Sequence, residues 1–112
     1  MNSAADSTVL PPASLDGVRA LVTGSSRGIG ADTAGYLAAA GAKVVINFRA
    51  KAPRADKVVA SIVNAGGEAL AIGADLTSPE SVATMMGTIE EAWGGLDLLV
   101  LNASGGMESG MG

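Results

Sequence analysis

The sequence predicts an α/β fold with a doubly wound parallel sheet, in which four strands alternate with three helices. The first observation is the alternation itself, because short apolar runs and longer helical patterns follow one another in the order β-α-β-α-β-α-β. The second is the consecutive Val44, Val45 and Ile46, an unbroken run typical of a strand buried on both faces. The third is a glycine-rich turn after the first strand. Right-handed crossovers give an expected strand order of 3-2-1-4.

Two strands and two helices occupy the first part of this pattern. We place strand 1 at about 18–23, helix 1 at about 28–40, strand 2 at Lys43–Phe48 and helix 2 at about 54–65. A loop through Pro53 is expected to precede helix 2, and Gly41 is expected to end helix 1. The predicted core face of helix 1 comprises Ile29, Thr33, Leu37 and Ala40. The predicted core face of helix 2 comprises Val58, Val59, Ile62 and Val63.

The remaining elements are strand 3 at about 68–73, helix 3 at about 79–93 and strand 4 at 96–101. Ser78 before Pro79 favours an N-cap, while Thr77 with Glu80 forms a competing capping box. The predicted core face of helix 3 comprises Val82, Met85, Met86, Ile89 and Trp93. We expect residues 1–16 to form a mobile tail, and residues 17–112 to form one domain that is truncated after strand 4.

The composition excludes several kinds of site. The 112 residues include no cysteine and no histidine, so a disulfide framework, a thiolate metal site and a histidine base are all absent. We therefore predict no metal site. The first residues resemble no signal peptide, and no apolar run has the roughly 20 residues that a membrane helix needs. These features favour a cytoplasmic protein without a membrane partner.

The charges are distributed unevenly along the chain. The net charge is −4, yet residues 27–57 hold six basic and two acidic side chains, whereas residues 58–112 hold no basic side chain. The basic block begins in the glycine turn and surrounds the end of strand 2. A solvated surface would also explain Lys43, Lys51 and Lys57. A local basic patch on an acidic protein favours a small anionic ligand over nucleic acid.

The glycine turn lies where a strand meets the N-terminus of a helix, which is a natural anion site. It reads Thr-Gly-x-x-x-Gly-Ile-Gly from Thr23 to Gly30, and no Lys-Ser/Thr pair follows, which excludes a P-loop. This stretch resembles the cofactor loop of the short-chain dehydrogenase/reductase family, and the resemblance runs from about residue 18 to 101. It implies a Rossmann-type fold and a nicotinamide-dinucleotide oxidoreductase acting on a small carbonyl or alcohol substrate, as a homo-oligomer when full-length.

The resemblance implies cofactor contacts from the ends of all four strands. In the turn they are Gly24, Ser25, Ser26, Arg27, Gly28, Ile29 and Gly30. At the end of strand 2 they are Asn47, Phe48 and Arg49. After strand 3 they are Asp75 and Leu76, and after strand 4 they are Asn102, Ala103 and Ser104. The two serines of the turn are expected to bind phosphate. Asn102 is expected to brace the strand ends through side-chain hydrogen bonds. Two positions differ from the family's pattern. Ser104 stands where the family has glycine, and Leu101 stands where it has asparagine.

The end of strand 2 predicts NADP rather than NAD as the cofactor. An NAD site usually has a carboxylate at this point to bind the ribose hydroxyls, but this chain has Asn47-Phe48-Arg49. Arg27 and Arg49 could clamp a 2′-phosphate, since guanidinium groups pair bidentately with phosphate. The alternative is that both arginines are ordinary surface charges. Asp75 resembles the family's adenine-binding aspartate, and its alternative is an Asx-turn before helix 3.

The residues of the family's catalytic set are not predicted in this chain. Hydride transfer to a carbonyl needs a proton donor, for which the family uses a tyrosine with a lysine four positions on, plus a serine. The only tyrosine is Tyr36, which is followed four positions later by Ala40 and is assigned to packing or surface. We therefore expect this chain to be the cofactor-binding part of an enzyme, and inactive alone. A non-catalytic NADP-binding module and an α/β domain without a ligand remain the alternatives.

Overall fold

The computed structural model describes residues 14–102, which form four strands and three helices. The elements are β1 (Arg19–Val22), α1 (Gly28–Ala39), β2 (Lys43–Phe48), α2 (Ala52–Asn64), β3 (Glu68–Gly73), α3 (Pro79–Trp93) and β4 (Leu98–Val100). All three strand pairs are parallel, and the strand order is β3-β2-β1-β4. The predicted Rossmann-type fold and its 3-2-1-4 order are confirmed.

Because all strands are parallel, their amino ends lie on one side of the molecule and their carboxyl ends lie on the opposite side. Leu21 of β1 lies beside Val45 of β2 and Leu99 of β4, and Val45 lies beside Leu70 of β3. The segments that follow the strands therefore meet at one side of the molecule, which we call the carboxyl edge. In open parallel sheets this edge is where ligands bind.

The core lies on both faces of the sheet. Alternate residues of β1 and β2 point to opposite faces, so Val44 packs with α1 and α2, whereas Val45 packs with α3. Val44, Val45 and Ile46 are all fully buried, as the unbroken apolar run predicts. On the other face of the sheet, the helical residues of the core come from α3, with Met85 and Ile89 buried against the sheet.

The predicted core face of α1 is wrong in part. Its buried residues are Gly30, Ala34 and Ala38, and Ile29 is 70 % exposed, whereas Leu37 is partly buried and packs against the core as predicted. Small side chains allow the helix axis to approach the sheet closely, and close approach leaves no room for larger residues on that face. The helix therefore buries the face with the small residues, on which it can lie close to the sheet, and not the face with the larger apolar residues.

Helix α2 begins two residues earlier than predicted, at Ala52, so Pro53 lies in its first turn rather than in a loop. Proline is tolerated there because the first-turn N–H groups have no acceptor within the helix. Val63 is 51 % exposed, and Ala55 is buried in its place alongside Ile62.

Helix α3 has the predicted bounds, and its N-cap is Ser78, whose hydroxyl accepts a hydrogen bond from the Ser81 N–H at 3.2 Å. The competing capping box does not form, because the Thr77 hydroxyl donates to Asp75 instead. Met86, predicted to be in the core, is partly exposed. Strand β4 is shorter than predicted and begins after Asp97.

The predicted mobile tail lies outside the described residues except for residues 14–16. Leu15 belongs to the fold, because its N–H donates to the Ala40 carbonyl at 2.8 Å and its side chain packs against the core.

Candidate functional site

The turn after β1 depends on glycines at three positions. Gly24 and Gly28 have φ values of +60° and +64°, a region that strongly favours glycine. At Gly30 a Cβ atom would lie 2.5 Å from the Gly24 carbonyl oxygen and 2.5 Å from Asn102 Nδ2. Gly30 therefore lets α1 begin directly against the turn and the end of β4.

The N-terminus of α1 presents backbone N–H groups with no acceptor in the helix. The first helical hydrogen bond runs from the Ala31 N–H to the Arg27 carbonyl at 3.3 Å, so the N–H groups of residues 28–30 precede it. Arg27 is the N-cap and its side chain makes no capping bond, and the first turn holds no acidic residue. A Cβ built on Gly28 would meet nothing within 4 Å. This end of the helix is thus open, and its dipole favours an anion.

Ser25 is fully buried and braces the turn instead of facing a ligand. Its hydroxyl donates to the Val22 carbonyl at 2.6 Å and accepts from the Asn47 N–H at 3.0 Å, while its own N–H donates to the Asn47 carbonyl at 3.0 Å. Both donors of Ser25 are therefore engaged within the protein, which does not fit the expected phosphate contact. Ser26, its neighbour, is half-buried.

Asn47 is also buried and holds the end of β2 against the turn. Its Oδ1 accepts from the Gly24 N–H at 2.9 Å, and its Nδ2 lies 3.4 Å from the Ile72 carbonyl oxygen of β3. An amide can accept from one neighbour and donate to the other, which a carboxylate cannot do. The side chain predicted to contact the cofactor thus contacts the two adjacent segments of the protein.

The segment after β4 completes the turn. The Asn102 N–H donates to Thr23 Oγ1 at 2.9 Å, and its side-chain Nδ2 donates to the Gly24 carbonyl at 3.0 Å. These bonds confirm the predicted bracing role of Asn102. Thr23 was absent from the predicted site, although its place directly before Gly24 was the available signal. Ala103 and Ser104 lie outside the described residues.

Basic and aromatic groups lie beyond the turn on the carboxyl edge. Phe48 is half-buried, and a Cβ atom on Gly73 would come within 2.9 Å of its ring, so a larger residue at position 73 would require the ring to move. Arg49 and Arg27 are both exposed. Lys43 lies at the opposite end of β2, 4.0 Å from Glu68, and takes no part in this group.

Asp75 follows β3 and adopts the Asx-turn that was its alternative assignment. Its Oδ1 accepts from the Thr77 N–H at 2.9 Å and from the Thr77 hydroxyl at 2.6 Å. The bond from the Thr77 hydroxyl has the largest effect on the pKa of the Asp75 carboxyl, which it lowers. The bond from the Thr77 N–H and the charge of Arg49 lower this pKa further. The carboxylate is held charged, and Leu76 beside it is exposed.

The described residues hold no cluster of metal-ligating side chains, and their one tyrosine lies on the surface. Residues 14–102 include no group of three or more acidic side chains that could hold a metal ion. None of the helices in that range has the length and apolar character needed to cross a membrane. Tyr36 is 79 % exposed on α1, which confirms its assignment as a surface residue.

Comparison with known proteins gives one consistent result. A family model described as short chain dehydrogenase matches residues 19–111. A curated relative, a 3-oxoacyl-[acyl-carrier-protein] reductase from Synechocystis sp., is 46 % identical over 84 residues, covering 75 % of this chain and 34 % of the relative. The chain thus spans about a third of the length of this relative.

Solved structures show the same fold. A dehydrogenase/reductase from Sinorhizobium meliloti superposes with a TM-score of 0.77 at 47 % identity, covering 80 % of this chain and 35 % of the other. A short chain dehydrogenase from Burkholderia cenocepacia, solved in complex with NADP, superposes with a TM-score of 0.72 at 52 % identity, covering 76 % of this chain and 35 % of the other.

Proposed function

The chain belongs to the short-chain dehydrogenase family, and from this premise we propose that residues 17–112 form the cofactor-binding part of an NADP-dependent oxidoreductase. The proposed substrate is a small carbonyl or alcohol compound. The observation that carries the proposal is the uncapped N-terminus of α1, which opens beside two glycines of positive φ at the carboxyl edge of a parallel sheet.

The residues present fit a dinucleotide at this edge. The N–H groups at the start of α1 would receive the pyrophosphate, and Gly28 leaves the space in front of them free. Asn47, Ser25 and Asn102 hold the turn rigid through bonds to its backbone. A rigid turn needs no reordering when the ligand binds, which lowers the entropic cost of binding.

The charges at the edge support NADP over NAD. The end of β2 carries no carboxylate, and the Asn47 side chain is engaged with Gly24 and β3. Arg49 directly follows β2, and Arg27 is the N-cap of the helix that follows the adjacent strand β1; both are exposed and could pair with a 2′-phosphate. The structure of the Burkholderia relative as an NADP complex supports the same choice.

When bound, the reduced nicotinamide supplies the hydride of the reaction. The role of this chain is to bind and orient the dinucleotide so that its reactive end lies beside the substrate. We propose that the proton donor, a tyrosine assisted by a lysine and a serine, lies outside these 112 residues, because Tyr36 is a surface residue.

Replacing Gly28 by valine tests the proposal. In the full-length protein, Gly28→Val should weaken NADPH binding by more than about 100-fold, because the branched side chain fills the space in front of the helix N-terminus. The valine also adopts a positive φ, at a strain of about 1–2 kcal/mol. Binding is measured by isothermal titration calorimetry, and stability by thermal unfolding.

Gly66→Val is a matched control for the strain. Gly66 also has a positive φ, of +95°, and an added Cβ there meets nothing within 4 Å, but it follows α2 at the opposite edge of the sheet. Both variants should lose similar stability, and only Gly28→Val should lose binding. Wild-type affinity in Gly28→Val, or equal losses of affinity in both, would refute the proposed site.

A further inference from the structure

The segment after β3 holds Asp75 by both its backbone and its side chain. The Asp75 N–H donates to Ser81 Oγ at 2.9 Å, and its carbonyl accepts from the Ser78 N–H at 3.0 Å. Ala74, the preceding residue, is buried and bonded to the Phe48 carbonyl at 3.0 Å. The backbone of Asp75 is thus fixed between the end of the sheet and the first turn of α3.

The side chain of Asp75 is held asymmetrically. Both hydrogen bonds that it accepts reach Oδ1, and both come from Thr77, at 2.9 Å from the N–H and at 2.6 Å from the hydroxyl. Among residues 14–102 no donor bonds Oδ2. The two Thr77 bonds fix the carboxylate plane, so Oδ2 has a set direction and stays available as an acceptor.

A carboxylate of fixed direction can discriminate between purine bases. An ionised carboxylate only accepts hydrogen bonds, so it binds an exocyclic amino group and repels an exocyclic carbonyl oxygen. Adenine carries the amino group at its position 6, whereas hypoxanthine carries a carbonyl there. The hydrogen bonds of Thr77 also keep the carboxylate ionised, since they lower its pKa.

We propose that Thr77 is a positioning residue for base recognition: by binding Oδ1 of Asp75, it directs Oδ2 toward the amino group of adenine. This inference rests on the proposed function, in which the carboxyl edge binds an adenine dinucleotide. Thr77 itself does not touch the ligand. Its hydroxyl acts through Asp75, and it sets the preference for adenine over a base without the amino group.

The test compares NADP with nicotinamide hypoxanthine dinucleotide phosphate, whose base has a carbonyl in place of the amino group at position 6 and a hydrogen on N1. Dissociation constants for both are measured by calorimetry in the full-length protein. The wild type should prefer NADP by about tenfold or more, the scale of one hydrogen bond to a charged group. Thr77→Val should reduce this preference by about threefold or more, because it removes the hydroxyl bond and retains the backbone N–H.

Two variants separate positioning from a general structural effect. Thr77→Ser retains a hydroxyl and should restore the wild-type preference. Thr84→Val is the matched control, because Thr84 lies on α3 and its exposed hydroxyl bonds only the Glu80 carbonyl, at 3.0 Å. It should leave the preference unchanged.

The outcomes distinguish this inference from the proposed function. An unchanged preference in Thr77→Val, or an equal loss of affinity for both dinucleotides, would overturn the positioning role alone. If the wild-type protein bound neither dinucleotide, the proposed function would fail, and the inference with it. A reduced preference that serine restores would establish the role of the hydroxyl.

Discussion

At the scale of single residues, the turn after β1 is stabilised by side chains that bind its backbone. Asn47, Ser25 and Asn102 each bond a main-chain group of residues 22–24 or 47. Their polar atoms are therefore occupied before any ligand arrives. The N–H groups at the start of α1 and the exposed side chains of Arg27 and Arg49 remain available to an anion, so the proposed preference for NADP depends on these two arginines.

The first prediction concerns Arg49. Under the proposed function, Arg49→Asp in the full-length protein should weaken NADP binding by roughly 1.5–3 kcal/mol more than NAD binding, since the proposed charge-assisted bond to the 2′-phosphate would become a repulsion. Competitive titration of the two cofactors measures the difference.

Lys57→Asp is the control for this change, because it alters the net charge equally from an exposed site on α2. It should shift both affinities only slightly and together. Equal losses for NADP and NAD in Arg49→Asp would show that Arg49 does not contact the 2′-phosphate.

At the scale of elements, the short strand β4 depends on an ion pair at its start. The Arg19 guanidinium donates to both carboxylate oxygens of Asp97, from Nε to Oδ2 and from Nη2 to Oδ1, each at 2.9 Å. The backbone N–H of Arg19 also donates to Oδ2, at 2.9 Å, and Nη1 donates to the Trp93 carbonyl at 3.1 Å. The Asp97 N–H donates back to the Arg19 carbonyl at 2.8 Å. These bonds set the register of β4 on β1, and so place Asn102 at the turn.

The second prediction is a pH dependence that comes from this pair. The bonds from Arg19 lower the pKa of Asp97 to about 2, below its unfolded value of 3.8. The pair therefore stabilises the fold above pH 4, and its contribution is lost as the pH falls toward 2. Asp97→Asn should lower the melting temperature at pH 7 and flatten its fall between pH 4 and 2.

Glu68→Gln serves as the comparison, because Glu68 and Lys43 are 4.0 Å apart and more exposed than the Arg19–Asp97 pair. Its melting curve should follow the wild type closely over the same pH range. If Asp97→Asn kept the full acid dependence of the wild type, the ion pair would contribute nothing to stability.

At the scale of the whole molecule, the described residues leave one side of strand β4 open. Within residues 14–102, β4 pairs only with β1, and its other edge has no partner. Leu99 is 50 % exposed and Leu101 is 74 % exposed beside that edge. An open apolar strand edge is a template for pairing with another chain.

The third prediction is that the 112-residue chain expressed alone self-associates. Its apparent mass in size-exclusion chromatography with light scattering should rise with concentration. Leu99→Lys should reduce the association, since a lysine on an edge strand opposes pairing.

Val63→Lys is the matched control, because Val63 is equally exposed but lies on α2. It should leave the association unchanged. A monodisperse wild-type monomer with a sharp thermal transition would contradict this prediction.

The amino-acid sequence by itself determined the order of elements, the strand order, the glycine turn and the cap of α3 at Ser78. Each of these follows from a pattern of neighbouring residues: apolar periodicity, glycines at fixed spacing, or serine before proline. The bracing role of Asn102 was also predictable, because the family resemblance placed it at the end of a strand.

Only the tertiary structure decided which polar groups remain available and which face of α1 is buried. Arg19 and Asp97 are 78 positions apart in the chain, and Ser25 and Asn47 are 22 apart, so no local pattern pairs them. The parallel sheet brings such residues together, and the close approach of α1 buries Ala34 instead of Ile29. Hydrogen bonds between distant residues, and the distance between α1 and the sheet, exist only once the helices have packed on the sheet. Both set the geometry of the site.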